Sequence, residues 1–358
     1  MIFTGDISIP FVGGISFKGV PTDELNKLWI GNLEGSLVNA DADRQKELLS
    51  RRIVFNNVPA IQGLIGTIPY HAFCMANNHL LDACGIEESL HNLKSISKNE
   101  FGAGRNLDEA TKPLLVTDNG TEYALYAFGS RNINCIDATD KSEGSNPYNK
   151  WHVLAQMQKA VKDYPTKRVI AFMHWNTELE LYPQPLDREL SHALIDLGVY
   201  AVIGCHAHRV QPYEIYKGHP ILYGLGNFAF RQHTYMAGKL KFPEFSYPEI
   251  AFEINGDDFF IHQFEYNPQT HVVEYQGKAG VTSSDAPFAD LNNADYKVWF
   301  KKNRYQRKGI TIYYFEDSKL KNEIKYQYGC LRGGIINLLV KNERVFNAVK
   351  SLAEKIYK

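Results

Sequence analysis

The sequence predicts an α/β fold, and two observations indicate this class. Across the first two thirds of the chain, short apolar runs rich in β-branched and aromatic residues alternate with stretches of helical periodicity. After residue 211, short strand-like runs separated by tight turns replace that alternation. We therefore expect an α/β core followed by an antiparallel meander.

Each element of the core follows from its local pattern. Six segments are expected to form strands: Ile2–Thr4, Trp29–Leu33, Ala72–Ala76, Tyr123–Phe128, Arg168–Met173 and Tyr200–Ile203. Four are expected to form helices: Asp23–Leu28, Ile86–Lys98, Trp151–Asp163 and Asp187–Leu197. The second helix carries apolar side chains every three or four residues, so one of its faces should be buried. The meander is expected to contain Tyr213–Tyr216, Ile221–Tyr223, Glu249–Ile254 and Phe259–Glu265.

The chain is expected to contain one large domain and an appendage. The domain spans residues 1–285, and a C-terminal appendage of mixed strand and helix spans residues 286–358. Within the appendage, apolar residues recur at helical spacing, which predicts a docked helix over Ile335–Tyr357.

The charge of the chain gives no reason to expect a nucleic-acid or membrane partner. The 39 Lys and Arg residues balance 40 Asp and Glu residues, giving a net charge of −1. No overall field therefore attracts a polyanion or an anionic bilayer. No apolar stretch approaches the ~20 residues that a membrane span requires.

The five cysteines indicate a reducing compartment. They form an odd set with no C-x-x-C pair, unlike a disulfide framework. The first residues contain neither the basic region nor the long apolar region of a secretion signal. We therefore predict a cytoplasmic protein, and make no prediction of its oligomeric state.

Polar motifs follow five of the predicted strands. They are Gly5-Asp6, Asn32-Leu33-Glu34-Gly35, Asn77-Asn78-His79, His174-Trp175 and Gly204-Cys205-His206-Ala207-His208. Because the carboxyl ends of strands in α/β sheets form the crevice for ligands, these motifs should assemble one site. Carboxylates, a carboxamide and imidazoles are ligands that suit Mn, Fe, Zn or Ni. On an extended segment, the alternate residues His206 and His208 would project their imidazoles the same way.

Each motif also has a simpler interpretation when it is considered alone. Gly5-Asp6 is typical of a turn, Asn77-Asn78 tolerates left-handed turn geometry, and His174 could be a core histidine. Their ordered occurrence, each at the exit of a predicted strand, favours a metal site.

In this order the motifs resemble the CapA-like family of capsule and poly-γ-glutamate synthesis proteins, within the calcineurin-like metallophosphoesterase superfamily. Further matching text is Asp82, Gly102-Ala103-Gly104, Glu178 and Tyr223-Gly224-Leu225-Gly226-Asn227-Phe228. The resemblance covers residues 1–255. It implies a four-layer α/β/β/α sandwich, with two mixed sheets face to face and a metal centre at their edge.

The resemblance implies one or two divalent metal ions, with Mn, Fe or Zn as candidates. One position would be formed by Asp6, Glu34 and His208, and the other by Glu34, Asn78, His174 and His206. Two such ions about 3.5–4 Å apart lower the pKa of a shared water and neutralise charge on a phosphoryl oxygen. The chain reads Asp6-Ile7-Ser8 where the superfamily has Asp-x-His. The Asp6 position therefore lacks one imidazole, and we expect it to be the weaker one.

The resemblance also implies a general acid, His79, which would protonate the leaving oxygen. Asp82 would orient His79, although a helix N-cap is an equally good interpretation of Asp82. Four residues are candidates for contact with an anionic substrate: Glu178, Arg209, Asn227 and Arg231. For Glu178, the alternatives are fixing the tautomer of a histidine and simple solvation.

These features predict a metal-dependent hydrolase that acts in capsule or surface-polysaccharide biosynthesis. A phosphoester is the favoured bond, with an amide or ester as variants, in a small-molecule or glycan substrate. The alternative is a non-catalytic accessory protein that binds a glycan, a polyglutamate chain or a synthase partner. The complete set of ligands favours the enzyme, whereas the missing imidazole of the first motif keeps the alternative open.

Overall fold

The computed structural model describes residues 1–51 and 53–305, with three isolated positions at 320, 324 and 327. The helix expected over 335–357 lies outside these residues. The strands are β1 (Ile2–Ser8), β2 (Ser16–Lys18), β3 (Trp29–Leu33), β4 (Ser36–Val38), β5 (Phe55–Asn57), β6 (Tyr70–Cys74), β7 (Asn99–Phe101), β8 (Ala103–Gly104), β9 (Leu114–Asp118), β10 (Thr121–Gly129), β11 (Gly144–Ser145), β12 (Arg168–His174), β13 (Ala201–Cys205), β14 (Tyr213–Tyr216), β15 (His219–Leu222), β16 (Asn227–Phe230), β17 (Pro248–Asn255), β18 (Asp258–Asn267) and β19 (Val272–Gly280). The helices are α1 (Thr22–Leu25), α2 (Ala42–Ser50), α3 (Val58–Ile65), α4 (Ile86–Ser95), α5 (Leu107–Ala110), α6 (Lys150–Asp163), α7 (Pro185–Asp196), α8 (Tyr235–Gly238) and α9 (Asn293–Asn303).

Two large sheets organise the described part of the chain. The first has nine strands in the order β2-β19-β18-β17-β1-β3-β6-β7, with β16 beside the second half of β1. The second has six strands in the order β14-β15-β13-β12-β10-β9. Within the first sheet β1, β3 and β6 are parallel, and within the second β12 and β13 are parallel. The carboxyl ends of each set therefore emerge at one edge of their sheet.

Three apolar clusters arrange the two sheets and the helices in layers. Between the sheets, the ring of Phe3 in β1 lies 6.1 Å from that of Phe172 in β12. The outer face of the first sheet is covered by α3 and α4, through side chains such as Ile61. The outer face of the second sheet is covered by α6 and α7, through side chains such as Met157. The protein is therefore an α/β/β/α sandwich, and the predicted α/β class is confirmed.

The predicted core elements are present, with differences at their ends and in their pairing. The helix predicted over 86–98 ends at Ser95, and Ser97 has left-handed backbone with φ of 54°. The predicted meander is divided between the two sheets. β14 and β15 join the second sheet because β15 pairs in parallel with β13, whereas β17, β18 and β19 are antiparallel neighbours in the first.

The chain beyond residue 285 continues into the core of the second sheet. α9 packs on α7, and Phe288, Tyr296 and Phe300 are buried in the cluster that covers this sheet. A domain boundary at residue 285 stays a prediction, but residues 286–303 pack against the same core as α6 and α7.

Two further observations bear on the surroundings of the protein. Among the described helices, none is long and apolar enough to cross a membrane. Cys74, Cys84, Cys135 and Cys205 are free thiols, and Cys330 lies outside the described residues.

Candidate metal centre

The polar motifs of both sheets meet where the parallel strands end. The first sheet supplies Asp6 of β1, Glu34 after β3 and Asn78 after β6, and the second supplies His174 of β12 with His206 and His208 after β13. Glycine allows the strands to approach closely at this edge. A Cβ atom at Gly5 would lie 2.0 Å from the carbonyl oxygen of Gly226, a distance that no side chain tolerates.

Five of these side chains form two overlapping groups of possible metal ligands. Ligand atoms of Glu34, His174 and His206 lie within 4.8 Å of one another, and so do those of Asp6, Glu34 and His208. All five residues are buried. Glu34 belongs to both groups, which is the position of a bridging ligand.

Asn78 lies beside the first group. Its Oδ1 is 2.7 Å from Nε2 of His174, as two atoms that share one coordination sphere would be. The ring centroids of His174 and His206 are 4.9 Å apart, and those of His206 and His208 are 5.7 Å apart. The structure thus brings together all six residues that the sequence analysis named as metal ligands.

His206 and His208 converge through left-handed backbone and not through an extended segment, so that part of the sequence interpretation was wrong. β13 ends at Cys205, and the φ angles of His206 and His208 are 89° and 50°. Two such residues so close together turn the chain back toward the first sheet. The backbone N–H of His206 then donates to Oδ2 of Asp6 at 3.1 Å.

The electrostatics of the centre fit a divalent cation. Both carboxylate oxygens of Glu34 and Nδ1 of His206 are buried without a hydrogen-bond partner among the described residues. Burial, reinforced by the charges of Asp6 and Glu178, raises the pKa of Glu34 well above its usual value. Burial also lowers the pKa of His174 and of His206 well below the usual range. The imidazoles are therefore neutral, the form that binds metals, and the carboxylate lacks the counter-charge that a cation supplies.

Asn32, which the sequence analysis did not single out as a functional residue, lies between the two groups. Its Nδ2 donates to Oδ1 of Asp6 at 2.7 Å and lies 3.2 Å from Nδ1 of His174. Asn32 is fully buried. Its position near the end of β3, two residues before Glu34, was a usable signal, because the polar residues of the centre gather where the parallel strands end.

Asn227, a candidate for contact with substrate, is buried against His208. Nδ1 of His208 lies 2.9 Å from Oδ1 of Asn227. Because a carbonyl oxygen can only accept, this contact places the proton of His208 on Nδ1. Nε2, which lies 3.5 Å from Oε1 of Glu34, is then available to a metal. A contact between Asn227 and substrate stays a prediction.

His79 and Asp82 form a pair at the edge of the centre. Nδ1 of His79 lies 2.7 Å from Oδ2 of Asp82, and Nε2 of His79 lies 3.8 Å from Oε1 of Glu34. The N-cap of α4 is Gly85, so the alternative role of Asp82 as the N-cap of that helix is wrong. The observed pair holds the imidazole with Nε2 toward the centre.

Ser8, which replaces the imidazole of the first motif, is occupied by other contacts. Its Oγ lies 2.6 Å from the hydroxyl of Tyr235, and that hydroxyl donates to the carbonyl of Phe55 at 2.7 Å. All three residues are buried. The Asp6 side of the centre therefore has His208 as its only imidazole among the described residues.

The remaining candidate residues lie around the centre at different depths. Glu178 is exposed, yet its charge acts on Glu34. The guanidinium of Arg209 lies 4.2 Å from the ring centroid of Phe245, and that of Arg231 lies 4.9 Å from that of Phe11.

Comparison with known proteins places the chain in a family. The family described as "Bacterial capsule synthesis protein PGA_cap" matches residues 23–232. A capsule biosynthesis protein CapA from Bacillus anthracis is 32% identical over 44% of this chain and 39% of its own length. A "Probable polyglutamine synthesis accessory protein" from Mycobacterium tuberculosis is 27% identical over 55% of this chain and 53% of its own length. The chain thus spans about half, or less, of these relatives.

Among solved structures, the chain is similar to a calcineurin-like phosphoesterase from Bacillus subtilis, which is 10% identical. It aligns with 84% of this chain and 96% of its own, with a TM-score of 0.42. The family match spans more than half of the sequence. The described residues include the two groups of buried donor side chains. The chain belongs to the bacterial capsule synthesis family PGA_cap, and its resemblance to CapA-like proteins is confirmed.

Proposed function

We propose that this protein is a metal-dependent hydrolase of phosphoesters that acts in the synthesis of a capsule or another surface polysaccharide. The observation that carries the proposal is the burial of the Glu34 carboxylate. Its two oxygens are buried without a hydrogen-bond partner among the described residues, and Glu34 belongs to both groups of possible ligands. An arrangement of this kind costs stability unless a cation completes it.

The donor residues divide between two proposed ions. Glu34, Asn78, His174 and His206 would hold one ion, and Asp6, Glu34 and His208 would hold the second. Bound divalent ions supply Lewis acidity and neutralise the negative charge that develops on a phosphoryl oxygen. Ser8 stands where the superfamily has an imidazole ligand, and its hydroxyl contacts Tyr235. The second position therefore has one ligand fewer, and we expect it to bind its ion more weakly.

His79 is the proposed general acid. Asp82 accepts from Nδ1 of His79, which fixes the ring and leaves Nε2 directed toward the centre. In this role Nε2 gives its proton to the leaving oxygen, so that an alkoxide is not released. Asp82 acts through His79 and is a positioning residue.

The proposed substrate is anionic, and the capsule relatives favour a glycan or another polymer unit. Six described arginines each pair with a carboxylate, namely Arg44, Arg51, Arg105, Arg131, Arg168 and Arg188. Arg209 and Arg231 have no carboxylate within ion-pair distance among the described residues, so these two are the arginines that we propose for contact with the substrate.

The free thiols support the cytoplasm as the proposed compartment.

The second candidate function is that of an accessory protein without catalysis. The name of the mycobacterial relative describes an accessory role in polyglutamine synthesis. The specific observation in favour of this function is Ser8, because a centre with one imidazole fewer need not hold two ions. Such a protein would bind a polymer chain or a synthase through the same edge of the sandwich.

Two variants test the catalytic proposal. We expect Glu34→Gln to lower both the metal content, measured by elemental analysis, and the hydrolysis of phosphodiesters, because it removes the shared anionic ligand. His79→Ala should keep its metal but lose about 10²–10⁴ in rate on substrates with poor leaving groups. Activated aryl esters should lose less, because their leaving groups depart without a proton.

The control is Glu274→Gln, which removes a half-exposed carboxylate on β19 that pairs with Lys18. It should change neither metal content nor rate. Wild-type protein that binds metal but hydrolyses no phosphoester, amide or ester above buffer would contradict the enzyme and favour the accessory function.

A further inference from the structure

Like Arg231, Arg209 has an aromatic contact and no ion-paired carboxylate among the described residues. Its guanidinium carbon lies 4.2 Å from the ring centroid of Phe245 and 5.0 Å from that of Tyr305. Its hydrogen bond within the described chain is a long one, from Nη1 to the carbonyl of Leu179 at 3.5 Å. No carboxylate among the described residues lies within 4.0 Å of it. The charge of Glu180 acts on Arg209 from a longer distance, but no ion pair among the described residues occupies the guanidinium.

The two rings also decide how a ligand can approach Arg209. Rings at these distances cover faces of the planar guanidinium by cation–π contact. The N–H edge remains, and this edge matches the two oxygens of a carboxylate or phosphate. Tyr305 is 51% exposed, so the aromatic clamp lies at the surface, where it limits the side-chain entropy lost on binding.

Arg209 stands at the outer rim of the metal centre. It directly follows His208, and its partner Leu179 directly follows Glu178, whose charge acts on Glu34. The backbone N–H of Leu179 donates to the carbonyl of Ala207 at 2.8 Å, which joins the two loops. The guanidinium is thus placed beside the centre without being part of either donor group.

We propose that Arg209, clamped by Phe245 and Tyr305, is a binding site for a second anionic group of the substrate. This inference rests on the proposed function, which places the reacting bond at the donor groups. The ligand class is an extended molecule with at least two oxyanions, one at the centre and one carboxylate or phosphate at Arg209. A substrate with a single acidic group at the reacting bond would leave Arg209 unused.

The test measures binding to the metal-loaded full chain, because one oxyanion of the proposed ligand lies at the centre. Isothermal titration uses two probes, γ-linked tri-glutamate and inorganic phosphate. Both probes lack a phosphoester bond, so the measurement does not depend on phosphoester hydrolysis. We expect wild-type protein to bind at least one probe, and Arg209→Gln to weaken that binding by about 10- to 100-fold, the range for hydrogen bonds to charged groups. Arg209→Lys keeps the positive charge but loses the paired N–H donors of the guanidinium. Its affinity should therefore lie between those of wild-type protein and Arg209→Gln.

The matched control is Arg168→Gln, because Arg168 begins β12 and His174 at the centre ends it. It removes one positive charge at the opposite end of the strand and should leave both affinities unchanged. Tyr305→Leu alters an exposed ring without threatening the fold. We expect it to weaken binding of the same probe as Arg209→Gln does, but by a smaller factor.

Each outcome decides the matter. Dependence on Arg209 for tri-glutamate alone identifies a carboxylate, and dependence for phosphate alone identifies a phosphate. Binding that is absent in wild-type protein, or equal in wild-type and Arg209→Gln, overturns the inference. Binding that depends on Arg209 in a protein that hydrolyses nothing would overturn the proposed function while the binding site stands.

Discussion

At the scale of single residues, the Asn32 carboxamide contacts a member of each donor group. It hydrogen-bonds Asp6 of the first sheet and approaches His174 of the second, at 2.7 Å and 3.2 Å. Residues that orient metal ligands in this way tune metal affinity without touching the ion.

We predict that Asn32→Leu lowers metal affinity by about 10- to 100-fold, the range for removal of such an orienting contact. Leu has a similar volume but cannot donate to Asp6. Titration of chelator-treated protein with Mn or Zn measures the effect. The control is Asn99→Leu on β7, where the side chain is exposed. Equal affinities in wild-type and Asn32→Leu would show that the carboxamide does not position the ligands.

The candidate site was predictable in its residue types but not in its geometry. Carboxylates and imidazoles at strand exits pointed to one edge, because parallel strands share their carboxyl ends. The left-handed φ of His206 and His208 has no signature in the residue types. The contact of Asn227 with His208 also escaped prediction, because it depends on how β16 lies beside β1.

At the scale of elements, glycine controls how closely β1 can approach the chain before β16. A Cβ atom at Gly5 would lie 2.0 Å from the carbonyl oxygen of Gly226, which is backbone and cannot rotate away. We predict that Gly5→Ala destabilises the protein by about 1–3 kcal/mol or more, the usual cost of overpacking. Because Asp6 is the next residue, metal affinity should fall as well. Denaturant unfolding and metal titration measure the two effects.

Gly63→Ala provides the matched control. Gly63 lies exposed in α3, and nothing lies within 4 Å of a Cβ atom placed there. This variant should stabilise the protein by about 0.5–1 kcal/mol through helix propensity. If Gly5→Ala and Gly63→Ala changed the stability by similar amounts, the close contact between Gly5 and Gly226 would not require glycine.

The sequence predicted those elements whose burial leaves a periodic pattern. α4 was found because Ile86 and Leu93 lie on one buried face. α2 was missed because Leu48 is the one residue of that helix that is buried, so no apolar stripe marks it. β19 was missed for a similar reason, since Val273 alone in that strand is buried. Tertiary contacts, and not local pattern, define such elements.

At the scale of the whole molecule, buried carboxyl groups make stability depend on pH. Burial raises the pKa of Asp187 in α7 to about 7, although the Tyr148 hydroxyl donates to it at 2.7 Å. The folded protein therefore holds this proton at pH values where the unfolded chain has lost it. The stabilisation is complete below about pH 4 and is lost as the pH rises to about 7.

We predict that stability falls by about 1.4 kcal/mol per pH unit within that window for each such group. Asp187→Asn, which cannot ionise, should flatten the decline, and thermal unfolding between pH 4 and pH 8 measures it. Burial also raises the pKa of Asp137 to about 7, so part of the slope should remain. An unchanged slope in Asp187→Asn would contradict this account.

The position of β1 inside its sheet has a consequence for the synthesis of the protein. β1 leaves the ribosome long before β17, yet Ile2 pairs with Glu253 of β17. Until β16 and β17 are made, this edge of β1 has no partner, and an open strand edge is a template for pairing with other chains. Translation at about 5–20 residues per second prolongs this interval to on the order of ten seconds or more. The nascent chain therefore has to be protected from association with its neighbours throughout the interval between the synthesis of β1 and that of β17.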